Sequence, residues 1–239
     1  MGAGGAQIEF LEPPAGDRSL GVFETLLVCD GRALEPELHL ARLRASAREL
    51  YARELPAGLA AAIAQAATGS SLARLRVDLG PSGEARVAVT ALERAAGAPR
   101  ELVTVAVAGG FGAHKLADRR WLEAIEAAVG EGRVALLVTA AGRLLETTRA
   151  NVFLLRGGVL ATPPLDGAIL PGVTRELLLE RARAAGVEAL ETPLGLAELE
   201  RAEAVALVNS LRRLELAREP AAGAAGLLGR LREMLAPAV

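Results

Sequence analysis

Apolar and polar positions along the chain change period several times, and each change marks an element. Residues 21–28, GVFETLLV, read as a strand, and CDGR at 29–32 supplies an Asp-Gly turn into a second short strand. From Pro36 the apolar residues Leu38, Leu40, Leu43, Ala47, Leu50 and Tyr51 recur at intervals that predict a helix with one buried face. An Ala-rich helix is expected over 57–67. LARLRVDLG and EARVAVTAL flank the turn PSG as a hairpin, and ELVTVAVA adds another strand.

The glycine-rich stretch AGGFGAH, 108–114, carries little pattern and reads as a linker. Beyond it the periods alternate more regularly. A helix is predicted over 118–129, RVALLVT at 133–139 is a strand, and RLLETT and NVFLLR are strands separated by a break at Arg149 and Ala150. Gly157 and Gly158 turn the chain into VLATP. A helix then runs from Val173 to Ala185, followed by VEALETP, a helix near 196–202, the strand AVALVN and a helical tail over 222–235. The pattern predicts an α/β protein of two domains, an N-terminal one over 1–107 and a C-terminal one over 115–239, with a site at their junction.

Composition narrows the class of function. The 239 residues are 51% hydrophobic, ample for a core, and the net charge of −2 comes from interspersed acids and bases. No basic stripe points to nucleic acid and no polybasic run to a membrane surface, so the expected partner is a small molecule. The stretch MGAGGAQIEFLEPP lacks the features of a secretory leader, and no apolar run reaches the roughly 18 residues that span a bilayer. A cytoplasmic protein is expected. The single cysteine, Cys29, agrees with a reducing compartment and reads as a small hydrophobe on a strand; no metal-ligand cluster is evident.

One feature of the composition bears directly on chemistry. Of 27 basic residues, 26 are arginine and one, Lys115, is lysine. A guanidinium stays charged and is a poor nucleophile, so a lysine kept in an arginine-favouring chain is a candidate for Schiff-base chemistry. A leftover surface lysine is the alternative.

Four further constellations stand out. In HLARL, 39–43, His39 and Arg42 share one helix face; Arg42 could fork a phosphate, or the pair could be an exposed arginine and a satisfied histidine. In LPGVTREL, 170–177, Pro-Gly precedes a helix whose first N–H groups, with Val173 and the Thr174 hydroxyl, could bind an anion, unless Thr174 is an ordinary cap. In ETTRANVF, 146–153, Glu146 ends an apolar strand and, if buried, requires a positive or proton-donating neighbour. A protonated pyridine nitrogen would serve, as would Arg149 or Arg143. In VNSLRR, 208–213, Asn209 and Ser210 end a strand, where they could reach a phosphate or simply form a turn.

Taken in order, GVFET, HLARL, a lysine opening the second half, E-x-x-x-x-N-V-F and L-P-G-V-T-R resemble the class IV, or fold-type-IV, pyridoxal-phosphate enzymes. That family includes branched-chain aminotransferases, D-amino-acid aminotransferases and aminodeoxychorismate lyases. The resemblance covers residues 18–213. It implies a smaller N-terminal α/β domain, a larger C-terminal α/β pseudo-barrel domain, pyridoxal 5'-phosphate as cofactor, and a homodimer. It also implies roles: Lys115 holds the cofactor covalently and moves the substrate proton. Arg42 binds the phosphate with Val173 and Thr174, Asn209 and Ser210 lie nearby, and Glu146 pairs with the pyridine nitrogen. The run KLADR, with Arg119 four residues after the lysine, is similar to the lyases, as is GVFET. On that likeness the reaction converts 4-amino-4-deoxychorismate to 4-aminobenzoate and pyruvate in folate synthesis, with Thr25 protonating the departing group. RSLGVF lacks the family's usual Gly-Asp-Gly, Leu27 stands where an arginine is common, and Asp118 replaces an asparagine. An aminotransferase acting on branched-chain or D-amino acids, and a member without turnover, are the alternatives.

Overall fold

In the computed structural model, residues 8–10, 16–93 and 100–237 are described. The stretch read above for leader features lies, apart from Ile8–Phe10, outside them. The chain forms two compact units. Within the described residues the smaller holds 16–93 together with the short segment 114–119 and Pro237, and the larger holds 8–10, 100–113 and 120–236.

The smaller unit is built on an antiparallel sheet in the order β3-β2-β4-β5, with β2 at Val22–Cys29, β3 at Arg32–Ala33, β4 at Leu72–Leu79 and β5 at Ala85–Ala91. All eight residues of β2 pair with β4, from Val22 opposite Leu79 to Cys29 opposite Leu72. Alternation then fixes which side chains share a face. Val22, Leu26 and Val28 meet Ala73, Leu75, Val77 and Leu79 in a core closed by α1 (Pro36–Tyr51) and α2 (Leu59–Ala67), which contribute Leu40, Leu43, Ala47, Leu59, Ile63 and Ala67. Phe23, Thr25, Leu27 and Cys29 point the other way, and Cys29 is half-buried at the end of β2. Gly21, just before β2, has φ 90° and lies so near Leu79 that an added Cβ would come 2.4 Å from its carbonyl oxygen. The glycine of GVFET is therefore required by this close approach.

The larger unit carries a nine-stranded mixed sheet. Its main path is β1-β6-β7-β8-β9-β10-β11, with β1 at Ile8–Phe10, β6 at Glu101–Val107, β7 at Arg133–Val138, β8 at Leu144–Thr147, β9 at Asn151–Arg156, β10 at Val159–Thr162 and β11 at Ala189–Glu191. From β9 the sheet branches to β12 (Ala204–Asn209), which pairs with β13 (Arg213–Leu216). Helices α3 (Arg120–Val129), α4 (Val173–Ala184), α5 (Leu196–Arg201) and α6 (Ala225–Leu235) complete it. The fold class is thus the expected α/β with two curled sheets.

The chain passes between units at points other than the expected boundary after 107. β6 pairs in parallel with β7 over six residues, and β1 pairs in parallel with β6, so both belong to the larger unit. Residues 108–113 stay there, while 114–119 join the smaller unit through a bridge from Leu116 to Val22. Lys115 is therefore carried by the smaller unit, not by the C-terminal one in which the expected division placed it. Two backbone bonds fasten the segment: Phe23 N–H donates to the Lys115 carbonyl at 2.9 Å, and Ala117 N–H to the Gly21 carbonyl at 2.9 Å.

Candidate active site

In the smaller unit, β2 offers chemistry on both faces. Its inner face carries Glu24, 2% exposed, into contact with α1. Arg42 grips it with two bonds, Nε to Oε1 at 2.7 Å and Nη2 to Oε2 at 2.6 Å, and His39 Nδ1 lies 2.7 Å from Oε2. Burial by itself would raise the Glu24 carboxyl; the charge of Arg42 and the hydrogen bonds from His39 and Arg42 outweigh it and hold the pKa down to about 2. Arg42 is not the exposed arginine of the alternative reading, since its side chain is only 10% exposed. His39 is a satisfied histidine.

The outer face of β2 carries Phe23 and Thr25. Lys115 Nζ sits 4.9 Å from the centre of the Phe23 ring, and the Arg76 guanidinium, from β4, lies 3.9 Å from the same centre. Arg76 is in turn held by Asp78, with Nε and Nη2 both donating to the carboxylate. Thr25 is the next residue on that face and lies opposite Arg76 in the ladder. Asp118, three residues past the lysine, accepts from the Asp17 backbone N–H at 3.0 Å, which ties the segment down at its far end.

In the larger unit, Glu146, Val173, Thr174 and Asn209 converge on one end of the sheet. Glu146 at the end of β8 lies opposite Asn151 at the start of β9, and Val208, next to Asn209 on β12, also lies opposite Asn151. Glu146 is buried and bonded by the Leu170 backbone N–H at 3.0 Å and by Asn151 Nδ2 at 3.1 Å; Asn151 Nδ2 also reaches the Leu170 carbonyl at 3.0 Å. This lashes the LPG turn to the sheet just before α4. Gly172 is the N-cap, and a Cβ there would come 1.9 Å from Asn151 Oδ1, so any larger residue would push aside the Asn151 amide that holds Leu170. Arg149 and Arg143, the candidate partners for Glu146, pair instead with Glu126 and Asp166.

Thr174 is not the ordinary cap of the alternative reading, since it lies inside the first turn and the N-cap is Gly172 with no side-chain cap bond. Its hydroxyl is buried and has no hydrogen-bond partner among the described residues. An unanswered buried hydroxyl at a helix N-terminus, where N–H groups point outward, fits an anionic ligand oxygen. Asn209 behaves as a turn residue, its Oδ1 accepting from the backbone N–H groups of Leu211 at 3.1 Å and Arg212 at 2.8 Å. Residues that the sequence reading did not place in the site are Asn151, Phe23 and Arg76. The first was signalled by E-x-x-x-x-N, whereas the ring stacking of the other two has no local signal.

A family model, amino-transferase class IV, matches residues 21–215. The chain belongs to the class IV aminotransferases. Members of this pyridoxal-phosphate-dependent family include a bifunctional aminodeoxychorismate lyase / D-amino acid transaminase of Mycobacterium tuberculosis, 33% identical over 231 residues that span 81% of this chain and 79% of that protein. The branched-chain-amino-acid aminotransferase 6 of Arabidopsis thaliana is 40% identical over only 77 residues, 32% of this chain. The chain spans less than a quarter of that relative, 22%, and 23% of a Methanocaldococcus jannaschii relative. Among solved structures, the PLP-bound form of a hypothetical aminotransferase from Mycobacterium tuberculosis has a TM-score of 0.79 at 26% identity and covers 98% of this class IV chain and 95% of its own.

Proposed function

We propose that this class IV enzyme is a 4-amino-4-deoxychorismate lyase, releasing 4-aminobenzoate and pyruvate. The observation that carries the reading is the Mycobacterium tuberculosis relative, a bifunctional protein named for that lyase activity, whose similarity runs along most of both chains, not a short stretch. Arg119, four residues after Lys115 in KLADR, supports it.

Pyridoxal phosphate, when bound, supplies the electron sink for the negative charge left by proton removal. Lys115 would hold it covalently, and its amine would take the ring proton beside the substrate nitrogen. The backbone bond from Phe23 to the Lys115 carbonyl limits where that amine can go. Arg42, preset by Glu24, would grip the phosphate, a role the family resemblance gives also to Val173 and Thr174 in the first turn of α4 and, nearby, to Asn209 and Ser210. The orphaned Thr174 hydroxyl fits that role directly. Glu146, oriented by Leu170 and Asn151, would keep the pyridine nitrogen protonated. Thr25, on the same strand face as Phe23, would deliver a proton to the departing enolpyruvyl group. We further propose a homodimer, on the family resemblance, and a cytoplasmic location, on the single cysteine. Among the described residues no helix is long and apolar enough to cross a membrane.

The second reading is an aminotransferase, favoured by the D-amino acid transaminase activity in the same relative's name and by the branched-chain enzymes that match shorter stretches. One assay separates the two. Release of 4-aminobenzoate without an added keto acid identifies the lyase, and dependence on 2-oxoglutarate or pyruvate as acceptor identifies the aminotransferase. The wild-type protein should be yellow and bleach with borohydride, and Lys115→Ala should be colourless and inactive. A protein that takes up pyridoxal phosphate and catalyses neither reaction is the member without turnover. One that takes up none overturns the roles given to these residues.

A further inference from the structure

Helix α1 presents a polar stripe at positions 39, 42, 46 and 49, spaced three, four and three apart and therefore on one side of the helix. The first half of the stripe, His39 and Arg42, holds Glu24 on β2. The second half holds the residue next to Lys115. His114 Nδ1 lies 3.0 Å from Ser46 Oγ, and His114 Nε2 lies 3.4 Å from Glu49 Oε1. Ser46 is 4% exposed, the His114 side chain 18% and that of Glu49 71%, so the clamp runs from the helix interior outward. One helix thus braces both the strand bearing Thr25 and the segment bearing Lys115.

We propose that His114 is a positioning residue for Lys115: Ser46 and Glu49 fix its ring, and the ring fixes the backbone from which the lysine amine extends over Phe23. This rests on the reading of Lys115 as the cofactor lysine. The Ser46 bond carries most of the effect, because Ser46 is buried while the Glu49 carboxylate is mostly solvated. A serine hydroxyl both donates and accepts, so this bond survives either protonation state of the ring. The charged group that faces the ring is Glu49 from α1.

The chain's single lysine allows a test that needs no cofactor. In the full-length cofactor-free protein, mass spectrometry follows acylation of Lys115 by an amine reagent, with the chain's α-amine as internal reference. His114→Phe, which removes both ring bonds, should change the Lys115 labelling rate several-fold, and Ser46→Ala should move it in the same direction. His114→Asn, whose amide can occupy the Nδ1 position, should restore the wild-type rate, whereas His114→Gln, which reaches only toward Glu49, should not. In the loaded protein, His114→Phe should shift the visible absorbance and lower kcat on the order of 10- to 100-fold, the cost expected for a misplaced reacting group, with KM little changed. Thermal melts check that each variant is folded. Wild-type labelling rate, spectrum and kcat in folded His114→Phe and Ser46→Ala would overturn the proposal. If wild type takes up no pyridoxal phosphate, the cofactor reading fails, and the labelling data still decide whether His114 positions the amine.

Discussion

The smaller unit's Glu24 cluster and the larger unit's α4 entrance both bury polar groups, and they satisfy them differently. Around Glu24 the chain closes its own account: a carboxylate, a guanidinium and an imidazole meet within 2.6–2.7 Å. At α4 the chain spends its hydrogen bonds on shape, lashing Leu170 to Glu146 and Asn151, and leaves the Thr174 hydroxyl unanswered among the described residues. The first arrangement is a finished strut that presets Arg42. The second is a mould that a ligand would complete, because an unpaired buried hydroxyl persists only where something else supplies its partner.

The contrast breaks first at Glu24. Glu24→Gln leaves the half-buried Arg42 without its carboxylate, and since removal of one partner of a fully buried pair costs about 3–5 kcal/mol, a cost toward the lower end, about 3 kcal/mol, is expected, read as a lower denaturant midpoint. The same group predicts acid sensitivity. Its folded pKa of about 2 lies below the ordinary 4.5, so its contribution is fully present above pH 4.5 and is lost as pH falls from there through 2. That shift corresponds to about 3 kcal/mol. Wild type should lose stability over this window, and Glu24→Gln should lose distinctly less. Equal acid profiles would show that Glu24 is not the strut.

Much of this was legible in the chain. GVFETLLV gave β2, the apolar spacing after Pro36 gave α1, and LPGVTREL gave the start of α4 at Val173. These are local patterns, and periodicity records which face is buried. It does not record what lies across from that face. Arg42 meets Glu24 across 18 positions, His114 meets Ser46 across 68, and Asp118 meets Asp17 across 101. The domain division differed for the same reason: β6 looks like any strand of the first half until its parallel partner β7, beyond α3, is known. Glu146 shows the intermediate case, since its carboxylate and Asn151 were both visible, while their bonds to Leu170 follow from the turn and not from spacing.

Glu146 sharpens the comparison at the next level. Glu146→Gln keeps an acceptor for the Leu170 N–H but removes the charge, so the fold should hold, with a melt close to wild type. Turnover should fall, because a charge-assisted bond to a protonated ring nitrogen is worth about 1.5–3 kcal/mol, or roughly 10- to 100-fold in kcat/KM. A variant that melts early but turns over normally once folded would move Glu146 from the mould to the struts.

The smallest effect is the most telling, because it has opposite signs in the two states. Thr174→Val replaces an unanswered buried hydroxyl with a methyl group of similar size. In the cofactor-free chain this removes a desolvated polar group, and stability should stay level or rise by about 1 kcal/mol. In the loaded chain the same change deletes a hydrogen bond to the bound anion, and pyridoxal phosphate should bind roughly tenfold more weakly. Chemical denaturation without cofactor and a titration of cofactor-dependent absorbance measure the two arms. A hydroxyl that belonged to the protein's own framework, as the Glu24 partners do, would cost stability in both.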